Sequence, residues 1–348
     1  MIGGQLSNKI LYNGSEAAIK GCLQAGATFF AGYPITPGTE IMEQWVKKTS
    51  ENQKYRFIQA EDETSAGFNV IGAILAGKKA FTATAGPGNT LMQDPISMAE
   101  AMRLPFVAII MQRGGPSTGT VIFSQQEVNL TCHGGNGEGH RIVYSTSTPQ
   151  ELYNYCLKAF DIAWKWRFPT FILADGYQAK QESQVVFKKY IPRINSKPIL
   201  KYNHGNNNLR NCYNFETELA LNLEKNIRDY NLMSKKVCEY ELYKASDASE
   251  IIITHGITSL SVIEAIDILR TKFNKKIGLF RPITLAPFPI EVGNKVISNK
   301  TNIYIAESSN GQLASLVKSN LNIRSTIVEL LKPAVPISAE DIINLVRK

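Results

Sequence analysis

Three consecutive carboxylates, Glu61, Asp62 and Glu63, stand where the extended stretch FIQA (57–60) gives way to TSAGFNVIGAILAG (64–77). Acids in a first helical turn are ordinary, because the free N–H groups there carry partial positive charge. Three in a row are less so when the helix carries Ala, Gly and apolar residues on nearly every face, a pattern that belongs in an interior. A carboxylate at the mouth of a buried helix is therefore a candidate for chemistry. Three further turns carry candidates. GYPITPGTEI (32–41) has two prolines three apart, which fix the backbone around Thr36; read by itself it is a rigid turn with Thr36 as a helix cap. TATAGPGNTL (82–91) is a glycine-rich turn whose N–H groups could approach a phosphate, although it lacks both the GKT or GKS of a P-loop and the GxGxxG spacing. MQRGGPSTGT (111–120) brings Arg113 out of a buried strand into a loop. Its planar fork could hold a carboxylate in two bonds, or form a structural ion pair with one of the three acids.

The elements that must position these turns alternate. From Ser15 to about Ala174 the pattern gives helix 15–26, strand 28–33, helix 34–49, strand 55–60, the helix after the acidic triplet and strand 79–85. A turn and helix, strand 105–112, helix 149–166 and strand 169–175 follow. Continuous apolar strands separated by helices predict a parallel sheet covered on both faces, with ligands at the carboxyl ends of its strands. We read 1–191 as this first domain, 192–245 as an Asn-rich linker with one helical piece (216–231), and 246–348 as a smaller α/β domain of four strands and four helices.

Composition narrows the classes. With 348 residues, 44% hydrophobic and 20% charged, the chain is a globular protein with room for more than one core. No uncharged apolar run reaches the roughly 18 residues of a membrane span. The N-terminus lacks the pattern of a signal peptide, so a cytoplasmic location and no membrane are expected. The net charge of +8 is dispersed among acids, with no basic helix or nucleic-acid module, so no nucleic acid is expected and an acidic docking face on a partner is the better use of the charge. Five scattered cysteines, without a CxxC pair, encode neither a zinc ribbon nor an iron–sulfur ligand set. His133 and His140, seven apart on the loop CHGGNGEGHR, are candidates for contact with a substrate or partner and not for a metal site.

Together, GYPITPGTEI, QAEDETSAGFNVIGA, TATAGPGNTLM and QRGGPSTG resemble, in order and spacing, the α subunit of 2-oxoacid:ferredoxin oxidoreductases. THGITSLSVIEAI, FRPITLAPFP and AESSNGQLA resemble that family's second domain, so the similarity covers nearly the whole chain apart from the Asn-rich stretch. The resemblance implies an α/β fold: a thiamine diphosphate pyrimidine-binding domain on a parallel sheet, followed by a smaller transketolase C-terminal-like domain. It implies CoA-dependent oxidative decarboxylation of a 2-oxoacid to acyl-CoA and CO2, with ferredoxin reduced. It also implies a division of labour. A partner β subunit holds the cofactor's diphosphate through Mg2+ and carries or contacts [4Fe-4S] clusters, with γ and ferredoxin-like δ subunits as further companions.

Within this chain the resemblance assigns residues to roles. Counting back from Gly77, the family's glutamate falls on Glu63, which would share a proton with the pyrimidine nitrogen N1′, in apolar surroundings that keep the proton from being lost. Glu61 and Asp62 would then face polar surroundings or cap the helix. Thr36 and Arg113 match positions near the substrate carboxylate and the reactive carbon, while Tyr33, Pro34, Gly86 and Gly88 match the cofactor side. The only Asp-Gly pair, in ADGYQ (174–178), lacks the metal ligands of a diphosphate motif. Two departures from the family stand out. TVIFSQQEVN (120–129) replaces its TPTKTEQ-like segment and loses the basic residue, which leaves the substrate open, and the short Asn-rich stretch replaces the long middle insertion of many relatives. GGNGEGHR looks nearer to branched-chain or aromatic 2-oxoacid members than to 2-oxoglutarate ones. The competing readings are a non-oxidative thiamine lyase or transketolase-like half-enzyme, and a non-catalytic scaffold subunit.

Overall fold

The computed structural model describes residues 10–200 and 209–347. The extreme N-terminus and residues 201–208 of the Asn-rich tract, on which the signal-peptide and part of the linker expectations fall, lie outside the described residues. In chain order the first unit holds β1 (Leu11–Asn13), α1 (Gly14–Gln24), β2 (Phe29–Gly32), α2 (Thr39–Glu51), β3 (Arg56–Gln59), α3 (Glu63–Leu75), β4 (Ala80–Thr84), α4 (Pro87–Leu91) and α5 (Gln93–Ala101). It continues with β5 (Val107–Gln112), α6 (Val128–His133), β6 (Ile142–Thr146), α7 (Pro149–Trp166), β7 (Thr170–Asp175) and β8 (Glu182–Gln184). After α8 (Glu216–Val237) come β9 (Tyr240–Tyr243), β10 (Glu250–Ile253), α9 (Thr258–Phe273), β11 (Ile277–Pro282), β12 (Thr284–Ala286), α10 (Ile290–Ile297), β13 (Asn302–Glu307), α11 (Gln312–Asn320), β14 (Thr326–Leu331) and α12 (Ala339–Arg347).

The large sheet runs β12-β6-β7-β5-β4-β2-β3, parallel except where β12 joins β6. Its central strands are buried along their whole length, as their continuous apolar sequences require. On one face α3, α5 and α6 pack through Val70, Ile71, Ile96 and Val128. On the other, α1, α2 and α7 pack through Ile19, Trp45 and Phe160, and α8 adds Met233 and Val237. Part of the tract read as linker is thus built into the first core. The second sheet runs β14-β13-β10-β11-β9, and its edge strand β9 also comes from that tract.

Because β12 belongs to the larger sheet and β11 to the smaller, the two units interlock. Arg281 of β11 pins the seam: fully buried, it donates to Glu151 of α7 through Nη1 and Nη2 at 2.9 and 2.5 Å, and to Glu241 of β9 at 2.9 Å. Burial is the largest single influence and works against the charge on Glu151, but the hydrogen bonds and charge of Arg281 and the Ser147 hydrogen bonds together outweigh it and hold the carboxyl below its ordinary value. Breaking a buried pair typically costs about 3–5 kcal/mol, so Glu151→Ala should lower the thermal midpoint markedly at neutral pH. A depressed folded-state pKa contributes stability above the unfolded value and loses it as pH falls through the folded one. The gap between variant and wild type should therefore narrow in acid, as scanning calorimetry at several pH values would record.

Candidate active site

Strands β2, β3, β4 and β5 are neighbours pointing the same way, so the four turns singled out in the sequence meet at one carboxyl edge. The second unit covers the other half of that edge. Asp175, at the end of β7, accepts from Gln112 Nε2 at 3.1 Å and from the Ile257 main-chain N–H at 2.5 Å. Burial pushes its carboxyl up to about 7.

The acidic triplet divides by burial. Glu61 is exposed. Asp62 caps α3, its carboxylate accepting from Ser65 N at 2.7 Å, and that bond holds it below its ordinary value. Glu63 is the first residue of the helix and is buried. Its Oε1 lies 3.4 Å from Thr84 Oγ1 at the end of β4. Burial pushes the Glu63 carboxyl above its ordinary value, against the main-chain and Thr84 hydrogen bonds and the charge of Arg113, all of which favour ionisation. Gly88 stands over this group: a Cβ there would sit 2.2 Å from Glu63 Oε1 and 2.1 Å from Thr84 Oγ1, so the cradle exists only because the residue is glycine. Gly86, with φ 53° at the start of the same turn, lets the Arg113 side chain pass, since its own Cβ would meet Nε at 2.7 Å.

Arg113 is buried, at 5% exposure. Its Nη1 donates to the Thr36 carbonyl at 2.6 Å, and its Nε has no acceptor. Among the described residues no carboxylate lies within ion-pair distance of it, so the structural ion pair open in the sequence is not formed. Thr36 is half-buried beneath this arginine and does not cap α2, whose cap is Gly38 with no side-chain bond. Tyr33 and Pro34 form an exposed rim at the end of β2.

Two sequence readings change. The helix α3 is not enclosed within this chain. Phe68 is 38% exposed, Gly72 faces open space and Ile58 on the edge strand β3 is exposed beside them, because the sheet ends there and α3 has core on one side only. The histidine loop does not reach the cleft. His140 precedes β6 and so lies at the amino edge of the sheet, where its N–H bonds Glu100 and its ring packs on Tyr230. His140 therefore does not line the cleft at the carboxyl edge. Sequence reasoning also missed Glu127, buried at 4% exposure. Its Oε1 accepts from Gly86 N at 2.8 Å and Arg113 N at 2.9 Å, and its Oε2 from Asn89 Nδ2 at 2.9 Å. Burial raises its carboxyl. A polar run, SQQE, inside a domain of apolar strands was the only signal. Among the described residues no cluster of three or more His, Cys, Asp or Glu could hold a metal ion, and no helix is long and apolar enough to cross a membrane. A cavity of about 950 Å³ between Trp164, Lys197 and Asn226 takes none of these groups, and its Arg103 is committed to Asn226 and Asp229.

Residues 20–244 match the family described as "Pyruvate flavodoxin/ferredoxin oxidoreductase, thiamine diP-bdg", and residues 248–334 match "Pyruvate:ferredoxin oxidoreductase core domain II". The chain is 33% identical over 329 residues to the 2-oxoglutarate synthase subunit KorA of Methanocaldococcus jannaschii, covering 86% of this chain and 88% of that one. It is 30% identical over 317 residues to the ketoisovalerate oxidoreductase subunit VorB of Methanothermobacter marburgensis, with 88% of each covered. Among solved structures it superposes on the 2-oxoglutarate:ferredoxin oxidoreductase of Magnetococcus marinus, which was solved with 2-oxoglutarate, coenzyme A and succinyl-CoA bound. The TM-score is 0.85 at 26% identity, over 97% of this chain and 64% of the length of that one.

Proposed function

The chain belongs to the pyruvate flavodoxin/ferredoxin oxidoreductase family, and from that membership and its buried Glu63 and Arg113 we propose that it is the subunit of a 2-oxoacid:ferredoxin oxidoreductase that holds the aminopyrimidine side of thiamine diphosphate. The reaction is oxidative decarboxylation of a 2-oxoacid to acyl-CoA and CO2, with electrons passed to ferredoxin. The observation that carries this reading is the arginine. A guanidinium that is almost fully buried, has no carboxylate in reach and keeps Nε without an acceptor is built for an anion the chain does not supply. A 2-oxoacid brings such a carboxylate, and relatives over more than four-fifths of the chain are named for 2-oxoglutarate and ketoisovalerate chemistry.

The residues fit the cofactor. Glu63 is a buried carboxyl poised to keep a proton, and the space over it is what a Cβ at Gly88 would fill. Thiamine diphosphate, when bound, supplies a nucleophilic carbon for the 2-oxo group. Glu63 holds the proton at ring nitrogen N1′, and the glycines of the 86–88 turn admit the ring beside it. Arg113, with Thr36 beneath it, holds the substrate carboxylate in the dry half of the cleft. The non-oxidative readings use the same Glu63 but need no ferredoxin, and the family named for ferredoxin chemistry supports the oxidative one.

The partner follows from what is open. Phe68, Gly72 and Ile58 leave an uncovered apolar strip beside the helix that carries Glu63. Asp175, the only acid in an Asp-Gly pair, is committed to Gln112 and Ile257 and does not anchor a metal. A β subunit that brings Mg2+, the diphosphate site and the [4Fe-4S] clusters would cover the one and supply the other. The isolated chain should accordingly bind thiamine diphosphate poorly; micromolar, magnesium-dependent binding to the lone subunit in calorimetry would contradict this. Gly88→Ala tests the cradle. The new methyl must push Glu63 aside, so the assembled enzyme should lose at least about tenfold in kcat while its stability falls only by what overpacking costs, about 1–3 kcal/mol.

A further inference from the structure

Glu127 belongs to a strap, residues 124–129, that the second unit grips through Ser124, Gln125, Gln126 and Asn129. Ser124 Oγ and Gln125 N both donate to the Ser308 carbonyl, at 3.1 and 3.0 Å. The Gln125 side chain is fully buried and completely used. Its Oε1 accepts from Thr258 Oγ1 and from Ser308 N, both at 3.0 Å, and its Nε2 donates to the His255 carbonyl at 3.0 Å. Gln312, the first residue of α11, spans the strap: its Nε2 donates to the Gln126 carbonyl at 2.6 Å and its Oε1 accepts from Asn129 N at 2.9 Å. Between these two anchors stands Glu127, whose carboxylate faces the first unit and takes the main-chain N–H groups of Gly86 and Arg113.

We propose that Glu127 is a positioning residue for the 2-oxoacid, and that the second unit sets it through Gln125 and Gln312, so that the strap fixes the spacing between the Gly86 turn and the strand end that carries Arg113. The inference rests on the reading of Arg113 as the holder of the substrate carboxylate. The physical reason is an economy of acceptors. A carboxylate next to a buried arginine would ordinarily bond the guanidinium, but Glu127 is used up by two main-chain N–H groups and Asn89. It thereby stiffens the backbone under Arg113 while leaving the guanidinium to an incoming anion. Without it, two buried N–H groups lose their acceptor and the two turns are free to separate.

The test uses the assembled enzyme with the variants Glu127→Ala, Glu127→Gln, Gln312→Ala and Arg113→Lys, followed by steady-state kinetics and amide hydrogen exchange. Glu127→Ala should raise KM for the 2-oxoacid about tenfold or more, with KM for coenzyme A unchanged. Exchange should speed up in peptides covering 84–89 and 111–115. Glu127→Gln keeps one carbonyl oxygen for the same two N–H groups and should restore KM to within about threefold. Gln312→Ala, in the other unit and at its surface, should shift both readouts in the same direction by less, and it decides the matter if Glu127→Ala does not fold. Wild-type KM and exchange in Glu127→Ala, or in Gln312→Ala where that variant decides, would overturn the proposal. A fall in kcat alone would do so too. If Arg113→Lys raises KM while Glu127→Ala does not, the strap is wrong and the reading of Arg113 stands; if Arg113→Lys leaves KM unchanged, both fall.

Discussion

Glu63→Gln should leave the assembled complex intact and remove nearly all of its activity, by roughly 10²–10⁴-fold. The amide is close to isosteric and can still meet Thr84 Oγ1, so the packing under Gly88 survives. It cannot take up or release a proton at N1′, and that is the work a buried carboxyl with a raised pKa is placed to do. The two neighbouring acids are the controls. Glu61→Gln, at an exposed position, should cost little. Asp62→Asn should cost at most the cap of α3, about 0.5–2 kcal/mol of stability, and little activity. A dead Glu61→Gln enzyme beside an active Glu63→Gln one would reverse the assignment.

The second large effect is expected at Arg113. A charge-assisted hydrogen bond is worth about 1.5–3 kcal/mol, so Arg113→Lys should raise KM for the 2-oxoacid roughly 10- to 100-fold, at about 1.4 kcal/mol per tenfold, with little change for coenzyme A or ferredoxin. Lysine keeps the charge but not the fork. Its three N–H groups diverge from one nitrogen, so with one on the Thr36 carbonyl the other two cannot meet a carboxylate as the parallel pair of a guanidinium does. Thr36→Val should shift the same constant more mildly, because the main-chain acceptor for Arg113 remains. An Arg113→Lys enzyme with an unchanged KM would reduce Arg113 to a structural residue, and the cleft would need another anion holder.

Much of this was legible in the residues, for a physical reason. Strands buried on both faces read as unbroken apolar runs, such as Phe106–Met111 and Phe171–Ala174, and the turns after them carry glycine, proline and charge. The four turns of the site could thus be found one by one, and the sheet order brings them together. What stayed hidden depends on partners far along the chain. Strand β6, IVYST, is hard to see in the sequence because it is short, follows a glycine-rich loop and ends in Ser and Thr, and its strand character comes from lying between β7 and β12. Strand β12 is three residues long and is extended only because β6 receives it from the other unit. Helix α3 reads as enclosed because its composition is apolar on nearly every face, yet the sheet ends beside it and leaves Phe68 and Gly72 open. Glu127 sits in a polar run without periodicity, and its meaning lies in Gly86, 41 positions away.

In the function proposed above, Glu63 of this chain governs the proton economy of a cofactor shared with a partner. The most direct measurement is the rate at which the thiazolium C2 proton of thiamine diphosphate exchanges with deuterium in the assembled enzyme, before any 2-oxoacid is added. Exchange should be fast in the wild type, fast in Glu61→Gln and in Arg113→Lys, and slower by at least about 10² in Glu63→Gln. Wild-type exchange in Glu63→Gln would contradict the account, whatever its turnover.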